Sequence, residues 1–137
     1  MIVTARLTFS AAHRLHNPER DTNWNRHTYG DDNNAAGHGH NYAIQVSVRG
    51  KIDPHTGMVI DLKTLKDIVR LHVVDRVDHR NLNEDVDFLR GIIPTAENLA
   101  RAFWRQLAPA IEQGSLYEIA LQETEKNSVV YRGEDEP

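Results

Sequence analysis

Cysteine is absent from all 137 residues, which removes disulfides, thiolate metal ligands and thiol nucleophiles from consideration together. Long apolar runs are also missing: none approaches the ~20 residues needed to cross a bilayer. The N-terminal MIVTARLTF begins as an alternating pattern, without the apolar region and cleavage site of a secretory signal, so the expected location is cytoplasmic. There is no basic excess either. A net charge of −4 argues against non-specific nucleic-acid binding, though it leaves room for a local basic pocket. Aromatic residues make up 7%, and Trp24, Trp104 and the tyrosines read as packing. What remains is ordinary for a soluble globular chain, with 39% hydrophobic and 26% charged residues, and residues 1–137 fit one domain. Eight histidines and no thiol leave imidazole and carboxylate as the metal-binding chemistry.

Residues 2–13 alternate, with Val3, Ala5, Leu7, Phe9 and Ala11 on one parity and Thr4, Arg6, Thr8 and Ser10 on the other, the pattern of a half-buried strand. Residues 14–37 are polar and predict a long loop with at most a short helix; loops of that length inside compact domains are usually functional. Alternation resumes over 38–50 through Tyr42, Ile44, Val46 and Val48. The turn-forming DPHTG precedes a short strand expected at Met58–Ile60. Asp61 reads as the N-cap of a helix with Leu62, Leu65, Val69 and Val73 on its apolar face, ending near Val77. Residues 84–93 read as irregular. Pro94–Thr95 opens a second helix, with Glu97 in its first turn and an apolar stripe of Leu99, Phe103, Leu107 and Ile111; Pro109 frays its end. Tyr117, Ile119 and Leu121 alternate again, and a turn at 125–127 leads into Val129–Tyr131. The acidic tail GEDEP reads as loose. The expected architecture is α+β, an antiparallel sheet with two helices on one face in the order ββααββ.

His38 and His40 in GHGHNY are separated by one residue, so in a strand their side chains share a face. His13 ends the first alternating run on the apolar parity. Three imidazoles on the apolar side of adjoining strands need partners, because a buried unsatisfied polar group costs about 1–3 kcal/mol. A zinc ion with an open position is one solution; hydrogen bonds to loop carbonyls are the other, and spacing alone leaves both open. Asp78-His79 is either an acid–imidazole pair for proton transfer or a histidine favoured at a helix C-terminus. Glu123, on the apolar parity of its strand, is either a carboxylate awaiting a guanidine-like ligand edge or a solvated residue at a strand end. His16, His27, His55 and His72 read as structural or surface residues.

The series SAAHRL, GHGHNY, HTGMVIDL, DHRNLN, PTAENLA and QETEKNSVVY resembles, from end to end, the 6-pyruvoyltetrahydropterin synthase / 6-carboxytetrahydropterin synthase family. That resemblance implies the tunnelling fold (T-fold), in which the sheets of neighbouring subunits join into a barrel with the helices outside, commonly a homo-hexamer built as a dimer of trimers. It implies a catalytic Zn2+ on His13, His38 and His40. Glu123 would anchor the 2-amino-4-oxo edge of a pterin, with Thr95 near the same pocket. Asp78 and His79 would belong to the proton-transfer machinery, serving a neighbouring chain's zinc. The implied substrate is 7,8-dihydroneopterin triphosphate and the implied reaction a lyase elimination of triphosphate, in a tetrahydrobiopterin, folate or queuosine (deazapurine) pathway. Arg14 and Arg26 are the basic candidates to meet the phosphates.

One position departs from the pattern. The family places a catalytic cysteine in the loop before HGH, and the alignment of YGDDNNAAGHGHNY puts Asp32 there. A carboxylate has an unperturbed pKa of about 3.9, against about 8.5 for a thiol, so Asp32 is a weaker base unless it is desolvated or paired with Asp31. Three outcomes are consistent with that residue. Asp32 takes over the thiol's role; or the side chain is cleaved instead, giving 6-hydroxymethyl-dihydropterin or 6-carboxytetrahydropterin; or His79 is the sole base and the chain is a slow or non-catalytic zinc- and pterin-binding module.

Overall fold

The computed structural model describes residues 1–137. Its centre is a five-stranded sheet in which residues 80–81 (β3), 2–13 (β1), 38–49 (β2), 115–122 (β4) and 128–131 (β5) lie side by side in that order. β1 (Ile2–His13) and β2 (His38–Arg49) form a long antiparallel pair whose register runs unbroken from Ile2 opposite Arg49 to His13 opposite His38. β4 (Ser115–Gln122) pairs with β2, and β5 (Ser128–Tyr131) with β4. No helix is long and apolar enough to cross a membrane.

The alternation sorts residues between faces as period-2 geometry requires. Ala5, Leu7, Phe9, Ala11 and His13 of β1, with Tyr42, Ile44, Val46 and Val48 of β2, are buried on one face. Against them pack α2 (Leu62–Val69) and α4 (Ala96–Leu107), each burying one stripe: Leu65 and Val69 from the first, Leu99, Phe103 and Leu107 from the second. Phe9 stacks on Tyr42 at 4.8 Å between ring centroids and meets Phe103 edge-on at 6.0 Å. This aromatic column runs through the core towards the histidine end of the sheet.

Side-chain caps begin α2 and α4, the two helices whose starts were expected. Asp61 accepts from the Thr64 N–H and Thr95 from the Asn98 N–H, satisfying amides that the first turn leaves free. The first of these helices continues through a π-helical stretch, Arg70–Val74, into α3 (Asp75–Val77).

Several expectations need correction. The order is not simply ββααββ: α1 (Thr22–Tyr29) lies between β1 and β2, and the two-residue β3 (Arg80–Asn81) pairs parallel to β1 at Ala11 and Ala12. α1 exposes nearly its whole surface and buries only Asn25, so it carries no apolar period to betray it. Met58–Ile60 is not a strand. The Met58 carbonyl closes the preceding turn on the Asp53 N–H, and Val59 and Ile60 go into the core without a pairing partner. The second helix ends at Leu107, beyond which Ala108–Ala110 is a 3-10 turn. The tail is not loose: Glu136 accepts from Arg105 and from the Tyr131 hydroxyl, and Asp135 lies 3.5 Å from Arg101.

Candidate metal centre

His13 is the last residue of β1 and His38 the first of β2, directly opposite in the register, with His40 two places further along. Strand geometry therefore sends all three imidazoles to the helix-covered face at one end of the sheet. One ring nitrogen from each lies within 4.8 Å of the others. The His13 and His38 Nε2 atoms are 3.1 Å apart. The rings meet nearly edge to face, with interplanar angles of 69°, 88° and 90°, so their nitrogens converge and the rings do not stack.

The other nitrogen of His13 fixes the tautomer. Nδ1 lies 2.8 Å from the Pro94 carbonyl oxygen. A carbonyl only accepts, so Nδ1 carries the hydrogen and Nε2 presents its lone pair to the cluster. Burial holds the His13 imidazole down from 6.5 to about 4, opposed by that carbonyl and reinforced by His38 and His40. His13 is thus neutral at pH 7, the state a metal ligand requires.

His40 supplies the test of fit. Its Nε2 is buried without a hydrogen-bond partner, and the nearest carboxylate oxygen, Glu123 Oε1, is 3.8 Å away. Buried polar atoms in native folds almost always have partners. A tetrahedral zinc site with Zn–N bonds of 2.0–2.1 Å has nitrogen–nitrogen edges of about 3.3 Å, close to the His13–His38 separation. Three convergent imidazoles, one oriented through its second nitrogen and one with an orphaned nitrogen, suit a cation with an open position.

Asp32 lies on the 3-10 turn Gly30–Asn33, its Oδ1 3.6 Å from His38 Nε2. Its side chain is 56% exposed, so this chain alone does not desolvate it. Glu123 follows β4 and faces His40. With Leu15, Thr95, Glu97, Asn127 and Val129 it lines a cavity of about 310 Å³, and its carboxylate is that cavity's link to the imidazoles. Thr95 sits in that wall while capping α4. The entry to α4 thereby performs two tasks, since Pro94 orients His13 and Thr95 shapes the cavity.

Asp78 and His79 form a second pair, and His79 lines a cavity of about 440 Å³ to which His40 also contributes. Asp78 Oδ1 accepts from the Ser10 N–H and lies 3.0 Å from His79 Nδ1. The Ser10 amide, with help from His79, holds the Asp78 carboxyl below the usual carboxylate range. The His79 N–H in turn donates to the Ser10 carbonyl. His79 has φ 59°, the one non-glycine residue in the left-handed region, and its side chain is 82% exposed. None of the pair's hydrogen bonds reaches the three imidazoles. Of the remaining candidates, Arg14 donates to the Asn33 carbonyl and Arg26 is exposed on α1. His27 and His55 are exposed, whereas His16 is tied to Asn33.

Residues 2–134 match the family model described as 6-pyruvoyl tetrahydropterin synthase. The chain belongs to that family. It is 46% identical over 132 residues to the 6-pyruvoyl tetrahydrobiopterin synthase of Poecilia reticulata, covering 96% of this chain and 90% of that one. It is 41% identical over 132 residues to the Homo sapiens protein of the same name, covering 96% and 91%. The solved structure of Caenorhabditis elegans 6-pyruvoyl tetrahydropterin synthase superposes with a TM-score of 0.89 at 43% identity, covering 97% of this chain and 96% of that one.

Two contributors had no legible signal. Pro94 acts through its carbonyl, which every residue possesses. Asn33, buried at 5% exposure, was one asparagine among several in a polar loop; its position next to Asp32 was the available hint.

Proposed function

We propose that this chain is a zinc-dependent lyase of the 6-pyruvoyltetrahydropterin synthase type, eliminating triphosphate from 7,8-dihydroneopterin triphosphate. The observation that carries this reading is the convergence of three imidazole nitrogens with the Glu123 carboxylate 3.8 Å from one of them, in a chain whose relatives bear that synthase name. His13, His38 and His40 would hold the zinc, which supplies Lewis acidity towards a side chain bearing adjacent hydroxyls. Glu123 accepts from the 2-amino and ring N–H donors of the pterin, a pairing of carboxylate with a guanidine-like edge. Asp32, 3.6 Å from His38, takes up the proton that a thiol accepts elsewhere in the family. Asp78 and His79, hydrogen-bonded to each other and to the Ser10 backbone but not to the triad, serve the site of a neighbouring subunit. That arrangement accords with a T-fold hexamer, a dimer of trimers. So do the exposed polar face of the sheet, bearing Arg6 and Gln45, and the edge strand β5, whose Val130 is 54% exposed.

The carboxylate at position 32 also supports a second reading, carbon–carbon cleavage of the side chain to 6-hydroxymethyl-dihydropterin or 6-carboxytetrahydropterin. Mass spectrometry of products from the zinc-loaded protein and dihydroneopterin triphosphate separates the two. Recovery of unchanged substrate from a protein that still binds pterins would leave a binding module and overturn both. Asp32→Ala is expected to lower turnover by about 10²–10⁴-fold, and Asp32→Cys to retain or raise it. An Asp32→Ala variant of full activity removes Asp32 from the mechanism.

A further inference from the structure

An exposed carboxylate can act as a base at a fixed place only if its backbone is held there. Asp32 has little to hold its own side chain, so the restraint must come from the turn that carries it. The hydrogen bonds joining that turn to the exit of β1 pass through two adjacent residues. The Leu15 N–H donates to the Asp32 carbonyl at 2.9 Å. Arg14 Nε donates to the Asn33 carbonyl at 2.9 Å. The Asn33 side chain donates through Nδ2 to the Leu15 carbonyl at 2.8 Å and to His16 Nδ1 at 3.0 Å. Because the Leu15 carbonyl can only accept, the orientation of the carboxamide is fixed, and both of its N–H groups are used.

Residues 14–16 immediately follow His13. The same segment that delivers one imidazole therefore anchors the turn that delivers the carboxylate. Asn33 is buried and its donors are matched, while neighbouring Asp31 and Asp32 are exposed. Only an asparagine-like side chain fills this place: it needs two donors on one atom, and a carboxylate offers none.

We propose that Asn33 is a positioning residue for the reaction, clamping the Gly30–Asn33 turn to Leu15 and His16 so that the Asp32 carboxylate stays beside His38. This rests on the reading of Asp32 as the base. The test uses the zinc-loaded full chain with dihydroneopterin triphosphate and compares wild type, Asn33→Ala, Asn33→Asp, Asp32→Ala and the Asp32→Ala/Asn33→Ala double variant. Asn33→Asp is nearly isosteric and keeps the backbone bonds, so it serves if Asn33→Ala folds poorly.

Displacements near 1 Å can cost about 10²-fold in rate. Both Asn33 variants are accordingly expected to lose at least about tenfold in kcat, with KM within about twofold and zinc content unchanged. In the Asp32→Ala background, Asn33→Ala is expected to change the residual turnover by less than about twofold, because the group it positions is gone. Equal losses in both backgrounds, or wild-type kcat in the Asn33 variants, would overturn the proposal while leaving Asp32 as base. Full turnover by Asp32→Ala alone would instead overturn the underlying reading. A crystal structure of either Asn33 variant gives an answer independent of turnover. The carboxylate is expected to leave its 3.6 Å place beside His38 with the three imidazoles retained, and a carboxylate unmoved would refute the clamp.

Discussion

Replacing His40 by leucine should make the metal-free protein more stable and the zinc-loaded protein less so. The His40 Nε2 is buried with no partner, and an unsatisfied group of that kind costs about 1–3 kcal/mol. Leucine keeps much of the ring's volume against Tyr42, whose ring centroid is 5.7 Å away, and carries no polar atom. With a chelator present, His40→Leu is therefore expected to gain up to about 1–3 kcal/mol, or about 3–5 °C in Tm per kcal/mol for a chain of this length. Zinc reverses the order. At a free concentration about 100 times its Kd, a ligand specific for the native state contributes about 2.7 kcal/mol, and a site reduced to His13 and His38 forfeits most of that. Urea unfolding of both proteins, each with chelator and with zinc, should give stability rankings that cross. The reasoning is refuted if His40→Leu is destabilised by 1 kcal/mol or more in chelator at an unchanged m-value. That result would mean the imidazole already has adequate partners in the metal-free fold.

Three further outcomes follow from the same geometry. The metal-free protein should lose stability as pH falls from about 6.5 to about 4: over that window the unfolded His13 binds a proton that the folded one refuses. The shift of about 2.5 units amounts to about 3 kcal/mol, and the pH slope of stability in chelator should flatten in His13→Gln. His79→Gly should raise stability by about 1 kcal/mol, since φ 59° is strained for a side-chain-bearing residue and not for glycine; under the proposed proton-transfer role of His79 it should also abolish turnover, read by urea unfolding and product formation together. Phe103→Ala removes a fully buried ring from beside Phe9 and Phe88 and should cost about 3–5 kcal/mol in equilibrium unfolding, with zinc stoichiometry retained.

What could be read in advance depended on whether a residue acts through its side chain or its backbone. The β1–β2 pair, its buried parity and the shared face of His13, His38 and His40 all follow from a period of two, and the register bears them out without a bulge between the histidines. Asp61 was legible as a cap, because a side-chain oxygen before an apolar period has one common use, and Pro94–Thr95 as the start of a helix. α1 was legible only as an unplaced short helix within residues 14–37, and β3 not at all. One buries a single asparagine and the other is two residues long, so neither leaves a hydrophobic signature. Met58–Ile60 misled because apolar residues beside a turn look like a strand, whereas Val59 and Ile60 fill the core from an unpaired loop.

Within the candidate site the same division separates ligands from what orients them. His13 is identifiable as a residue type, but its tautomer is set by the carbonyl of Pro94, 81 positions away. Asp78 is identifiable as an acid, but its carboxylate is fixed by the N–H of Ser10, 68 positions away. Both anchors are peptide groups, a carbonyl that any residue supplies and an N–H that any residue but proline supplies, so no residue pattern can announce them. Their placement is a consequence of tertiary packing: α4 must begin where its Leu99–Phe103 stripe meets the sheet, and that requirement leaves the Pro94 carbonyl over His13. A core substitution that shifts the start of α4 would therefore reach the imidazoles without touching them. Phe103→Ala tests this too, because a loosened α4 should weaken zinc affinity in proportion to the loss of the His13–Pro94 bond while leaving His38 and His40 in register.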